Sequence, residues 1–236
     1  MQYYSTNRQA PMADLEEVVT KSLAPDKGLY MPAQIPVLDK NVIRTLRDRS
    51  TPDIANLVAQ AFFGKDVDPE VLRTITKETF SFETPVVHVH DNIYSLELFH
   101  GPTLAFKDVG ARFMARLLGY FIRKQGIARE VNVLVATSGD TGSAVANGFL
   151  GVPDVRVFVL YPKGKVSPIQ ECQFTTLGQN ITALEIDGTF DHCQVLVKTA
   201  FSDGELNRRM QLTSANSINV ARFLPQSFYY FSAYAQ

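Results

Sequence analysis

Cysteine is scarce in this chain of 236 residues: Cys172 and Cys193 are the only two. Two cysteines cannot build a disulfide framework, and their spacing suits neither a Cys-x-x-Cys redox pair nor a zinc site. Two reduced, buried thiols are the expectation. Charge of one sign is also lacking. Lys plus Arg number 23 against 24 Asp plus Glu, a formal net charge of −1. The basic residues are scattered, so nothing points to nucleic acid or to a membrane surface as a partner. No apolar run is long enough to span a bilayer. The opening Met1-Gln2-Tyr3-Tyr4-Ser5-Thr6 lacks the basic-then-apolar layout of a signal peptide. Internal repeats and low-complexity stretches are absent too. Together these absences predict a soluble, cytoplasmic protein.

What is present is ordinary globular composition, 45% hydrophobic and 20% charged. That suffices for one large domain or two small ones. Residues 1–85 read as a mainly helical lead-in. Asp14 to Leu23 has helical apolar spacing, and Pro25, Gly28 and Pro32 punctuate a turn region. Thr51-Pro52-Asp53 and Asp68-Pro69-Glu70 each read as an N-cap followed by proline, opening two further helices. From residue 86 to 236 the texture changes. Val86–His90 and Asn92–Leu98 predict two strands with a turn at Asp91-Asn92. A helix is predicted over 109–125, a strand over 131–136 and a helix over 141–150. Strand 155–160, helix 167–177, strand 181–186 and helix 191–202 follow. Strands alternating with helices predict an α/β fold with a parallel βαβ sheet buried on both faces. Ligands of such sheets gather where strands lead into helices.

Three segments carry candidate chemistry. In Gly101-Pro102-Thr103-Leu104-Ala105-Phe106-Lys107-Asp108 the lysine falls near the start of a long helix among apolar neighbours. An amine there would be disfavoured as the cation and available to attack a carbonyl. Thr137-Ser138-Gly139-Asp140-Thr141-Gly142 lies at a strand-to-helix junction, where free N–H groups suit a carboxylate. A plain N-cap by Ser138, Asp140 or Thr141 explains it as well. Asn216-Ser217-Ile218-Asn219 with Arg222 could bind an oxyanion, the guanidinium as a bidentate fork, or form a polar loop capping the next helix.

In register, these three segments resemble the threonine synthases. Tyr4-Ser5-Thr6 and Leu23-Ala24-Pro25-Asp26-Lys27-Gly28-Leu29-Tyr30-Met31-Pro32 are similar to that family's N-terminal signature. The resemblance covers nearly the whole chain. It implies the tryptophan-synthase-like fold (fold type II) and pyridoxal 5'-phosphate as cofactor, held as a Schiff base on Lys107. The implied reaction converts O-phosphohomoserine and water to threonine and phosphate. Phe106 would wall the cofactor. Asp140 falls where related enzymes often carry an asparagine facing the pyridoxal hydroxyl. Ser138, Gly139 and Thr141 would take the substrate carboxylate; Asn216, Asn219 and Arg222 would take its phosphate.

Family members continue well beyond Gln236. The resemblance therefore implies that a C-terminal part is missing, with the loop that grips the cofactor phosphate and the residue that contacts the pyridine nitrogen. The aromatic stretch Phe228–Ala235 has no stop signal after it, and Pro225 predicts a kink or a restarted helix before it. Two other readings stand beside the synthase. One is a phospholyase or deaminase of the same fold. The other is a truncated, non-catalytic binding module. A homo-oligomer is compatible with either. His88 and His90 fall on one strand face, as a metal would need. No convincing third ligand accompanies them, so solvent-facing histidines are expected and no metal.

Overall fold

The computed structural model describes residues 1–126 and 130–236. The lead-in begins with strand β1 (Tyr3–Ser5), helix α1 (Leu15–Lys21) and strand β2 (Tyr30–Pro32). β1 and β2 pair antiparallel, Ser5 opposite Tyr30. One carboxylate ties their ends. Asp26 Oδ1 accepts from the Ser5 hydroxyl (2.6 Å) and the Gly28 N–H (2.9 Å), and Oδ2 accepts from the N–H groups of Gln9 and Ala10 (2.9 Å each). These donors, the Ser5 hydroxyl foremost, hold Asp26 down to about 2. A side chain on Gly28 would overlap the Ser5 hydroxyl. The two halves of the N-terminal signature are thus the two sides of one hydrogen-bonded turn.

Helices α2 (Lys40–Arg44), α3 (Thr51–Phe63) and α4 (Pro69–Thr79) complete the lead-in. α3 is capped by Ser50, which accepts from the Asp53 N–H, so the cap lies one residue before the Thr51 predicted. Asp68 caps α4 as expected, accepting from Glu70 and Val71 N–H groups. Ile54, Val58 and Phe63 on α3 and Leu72 and Ile75 on α4 face inward. That periodicity is why the two pack as a pair.

Strands β3 (Val86–His90) and β4 (Ile93–Leu96) form a separate antiparallel hairpin, with Asp91 at φ +46 in its turn. Then come helix α5 (Lys107–Gln125), strand β5 (Val131–Ala136), helix α6 (Asp140–Phe149), strand β6 (Val155–Pro162), helix α7 (Pro168–Thr175), strand β7 (Ile181–Ile186), helices α8 (Phe190–Ser202) and α9 (Gly204–Met210), and strand β8 (Leu212–Ser214). The last four strands build one sheet in the order β7-β6-β5-β8. All its pairings are parallel, with Val133 between Val157 and Thr213. The predicted α/β architecture is therefore present. Burial on both faces holds for β5 and most of β6. It fails at the edge strand β7, where Glu185 is exposed and Leu184 is 40% exposed. Helix α10 (Val220–Phe223), a 3-10 turn over Leu224–Ser227 and helix α11 (Phe228–Ala235) close the chain. Pro225 sits inside that 3-10 turn, which is the predicted restart. A proline cannot donate to the preceding turn, so α10 ends there.

Two close approaches fix α5 at the centre. A Cβ on Gly148 of α6 would lie 2.9 Å from the Ala111 carbonyl carbon, and one on Gly110 would lie 2.5 Å from the Arg222 carbonyl oxygen. Glycine at both lets backbone meet backbone at two neighbouring positions, Gly110 and Ala111, of the helix that begins with Lys107.

Candidate functional site

Lys107 is the first residue of α5. The loop before it is shaped by Asp108, which is fully buried. Its Oδ1 accepts from the Thr103 hydroxyl (2.5 Å) and its Oδ2 from the Thr103 N–H (2.9 Å). Burial pushes the Asp108 carboxyl up, against those hydrogen bonds. A Cβ on Gly101 would lie 2.5 Å from Asp108 Oδ2, so only glycine admits this clamp. Leu104, at φ +59, turns left-handed inside it. Gln173 of α7 donates to the Thr103 carbonyl from outside (3.3 Å).

The surroundings of Lys107 differ from the apolar pocket predicted. Leu104 is 67% and Phe106 43% exposed. Lys107 Nζ instead lies 2.9 Å from both carboxylate oxygens of Asp140 and 5.6 Å from the Phe106 ring centre. The correction is physical. Apolar neighbours in sequence alternate around the loop and point to solvent, while the amine turns toward a charge supplied by another element.

Asp140 opens α6, and the segment before it is organised by a residue that the sequence reading passed over. Thr137 directly follows β5 and is buried. Its Oγ1 accepts from the N–H groups of Gly139 (3.0 Å) and Gly142 (2.8 Å) and donates to the Gly139 carbonyl (3.0 Å). No side chain caps α6 from Gly139, so none of Ser138, Asp140 and Thr141 is the cap. A β-branched hydroxyl immediately before Ser-Gly was the available signal. Because Thr137 occupies the Gly139 N–H, that group has no donor left for a ligand. The open donors are the Ser138 hydroxyl, which is exposed, and the first N–H groups of α6, at Asp140 and Thr141, which have no intrahelical acceptor.

The third segment splits into two kinds of residue. Asn219 is fully buried and its amide is used within the fold. Its Nδ2 donates to the Val19 carbonyl (2.9 Å) and the Ser22 hydroxyl (2.7 Å), and its oxygen accepts from the Ala221 N–H (2.9 Å). Asn216 is exposed and, with Ser217 and Thr141, borders a cavity of about 620 Å³ at the carboxyl end of β5. Arg222 is also fully buried, yet only Nη1 is engaged, donating to the Ala215 carbonyl (2.6 Å). Its Nε and Nη2 have no hydrogen-bond partner among the described residues. Burial pulls its guanidinium down to about 10, and the Asp140 charge opposes that. A Cβ on Gly110 would lie 3.4 Å from Arg222 Nε. Gly110 and Lys107, three apart on α5, share a face. So Lys107, Asp140 and Arg222 converge, from three elements far apart in sequence. Phe106, Asp140 and Gln170 border a second cavity of about 480 Å³ beside them.

His88 and His90 are exposed, and each contacts Asp91, through its carbonyl (2.8 Å) and carboxylate (3.1 Å) respectively. No cluster of three metal-ligating side chains occurs among the described residues. No described helix is long and apolar enough to cross a membrane. Cys193 is buried, as expected, whereas Cys172 is exposed.

Comparison with known proteins points one way. The family profile "Threonine synthase N terminus" matches residues 2–80. The threonine synthases of Escherichia coli and Serratia marcescens are 43% and 44% identical over all 236 residues, which cover 54% of each relative. A crystal structure of threonine synthase from Brucella melitensis, with PLP bound, superposes with a TM-score of 0.94 at 39% identity. The match covers 100% of this chain and 52% of that one. The Escherichia coli structure gives 0.88 at 43% identity, over 98% of this chain and 53% of the other. The chain thus spans about half the length of the curated relatives it matches. Along its whole length, it is related to the N-terminal half of the threonine synthases.

Proposed function

We propose that this chain carries the lysine and substrate-anion side of a pyridoxal-phosphate-dependent threonine synthase acting in the cytoplasm. Residues 1–85 would serve as lead-in and 86–236 as the cofactor-binding region. The observation that carries this reading is the buried cation Arg222. Its two unfilled donors stand near the Lys107–Asp140 pair, where an oxyanion would satisfy them.

The residues present fit the cofactor. A half-buried amine stands beside a cavity walled by Phe106 and bordered by Asp140, as an aldehyde-bearing ring requires. When bound, pyridoxal phosphate supplies an electron sink for charge developing next to the amino acid nitrogen. Lys107 would hold the cofactor through Nζ and would serve as the base that moves the proton at Cα. Asp140 holds that amine in place as a carboxylate. Ser138 and the Asp140 and Thr141 N–H groups orient the substrate carboxylate. Gly139 contributes its backbone shape, with φ +153. Asn216 and Arg222 take the substrate phosphate, and Asn219 positions them from behind. Overall, the Cγ–O bond of O-phosphohomoserine breaks and phosphate leaves, Cβ gives up a proton, Cγ gains one, and water supplies the hydroxyl that arrives at Cβ.

Titrating the 236-residue chain with pyridoxal phosphate tests this. A visible absorbance band should form and be abolished in Lys107→Ala. A band of equal intensity in that variant would sink the assignment. Supplying O-phosphohomoserine then separates outcomes. Threonine supports the synthase, whereas 2-oxobutyrate indicates the deaminase or phospholyase reading.

A further inference from the structure

Gly139 departs from ordinary backbone, at φ +153. What occupies the space above it is the side-chain amide of Gln170, from the first turn of α7. A Cβ on Gly139 would overlap Gln170 Oε1 and lie 2.9 Å from its Cδ. The residue is held at two points. The Ser167 hydroxyl donates to the side-chain Gln170 Oε1 (3.1 Å), and the Ser143 hydroxyl of α6 donates to the Gln170 backbone carbonyl (3.2 Å). Gln170 Nε2 has no hydrogen-bond partner among the described residues. The half-buried residue borders the cavity shared with Phe106 and Asp140. A neutral donor is therefore placed over Gly139, whose own N–H is occupied by Thr137.

We propose that Gln170 is a further substrate-positioning residue, whose side-chain N–H donates to the carboxylate of the amino acid seated on Ser138–Thr141. This rests on the reading of that loop as the carboxylate site. Gln170 supplies the donor that Gly139 cannot, and Gly139 lacks a side chain so that Gln170 can approach. An amide suits the task because it adds a donor without adding charge beside the Lys107–Asp140 pair.

The test is a titration of the isotope-labelled, cofactor-free chain, following the backbone N–H signals of residues 138–142. L-threonine is compared with L-threoninol, which replaces the carboxylate by an alcohol. Gln170→Glu keeps the acceptor for Ser167 but removes the donor and adds repulsion. It should weaken L-threonine by at least about tenfold and leave L-threoninol unchanged. Gln170→Ala should weaken L-threonine less, again without affecting L-threoninol. Equal weakening of both ligands, or of neither, overturns the role of Gln170. A wild-type chain that does not prefer L-threonine over L-threoninol overturns the carboxylate reading of the loop, and the proposal with it. Thermal melts of both variants separate a folding defect from a binding one.

Discussion

At the scale of single residues, the site is a set of charges whose burial differs. Arg222 is an expensive residue to keep, because two of its donors are buried without acceptors among the described residues. Replacing a buried charged group by an apolar one of similar size is often neutral or stabilising by about 1–4 kcal/mol. Arg222→Met should therefore leave the urea midpoint unchanged or raised. It should weaken inorganic phosphate, followed by phosphorus NMR, by about tenfold or more. A variant that unfolds more easily and binds phosphate as before would make Arg222 a structural residue only. Two carboxylates give opposite acid signatures. Asp26 is held down to about 2 by its hydrogen bonds. Its contribution to stability is present above the ordinary carboxylate range and is lost as pH falls through about 2. Asp108 is pushed up by burial. Its contribution is present below the ordinary carboxylate range and is lost as pH rises through its own higher value. Urea midpoints measured from pH 2 to 6 should show Asp26→Asn losing the low-pH fall and Asp108→Asn losing the opposing slope. Asp108→Asn keeps an acceptor for the Thr103 N–H, so the loop should stay formed. Identical profiles for wild type and both variants would refute the assignment.

At the scale of elements, α5 is the part on which the site depends, because it touches the site at both Lys107 and Gly110. Gly110→Ala places a methyl 2.5 Å from the Arg222 carbonyl oxygen, and backbone cannot swing away as a side chain can. Such overpacking costs about 1–3 kcal/mol. It should also displace Arg222, so chemical denaturation and phosphate binding should both suffer. Alanine tolerated in both measurements would mean that α10 is loosely seated. Much of this level was legible in sequence. The parallel strands announced themselves as apolar runs between helices, and strand 181–186 and the Asp68 cap were read to the residue. The short pieces were not legible. β1, β2 and β8 have three residues each, too few for a period of two to register, and their existence depends on partners elsewhere. The site behaved alike. Lys107, Asp140 and Arg222 were visible as residue types, and Thr137 acts within its own loop on Gly139 and Gly142, while Gln170 meets Gly139 through a contact between elements that spacing does not encode.

At the scale of the molecule, the lead-in and the sheet share one hydrophobic core. Tyr3, Leu15 and Phe63 belong to the same buried cluster as Val133, Val157 and Phe228. Polar bonds reinforce the junction at the end of α1. The Thr213 hydroxyl donates to the Thr20 carbonyl (2.7 Å), the Ser22 hydroxyl to the Ser214 carbonyl (2.8 Å), and Asn219 to Val19 and Ser22. The segment that presents Asn216 and Arg222 is thus suspended from the lead-in. Asn219→Ala would strand the Val19 carbonyl and the Ala221 N–H in a buried place, each costing about 1–3 kcal/mol. Because the core is continuous, that loss should lower the stability of the whole chain in one cooperative step, with far-UV circular dichroism and tyrosine fluorescence coincident. Phosphate affinity should fall with it, since Arg222 loses its support. Two separated transitions, with the lead-in melting first and phosphate binding intact, would show that the junction bears no part of the site's geometry. A single transition with weakened phosphate would mean that the end of α1 and the oxyanion segment, some 190 residues apart in sequence, work as one unit.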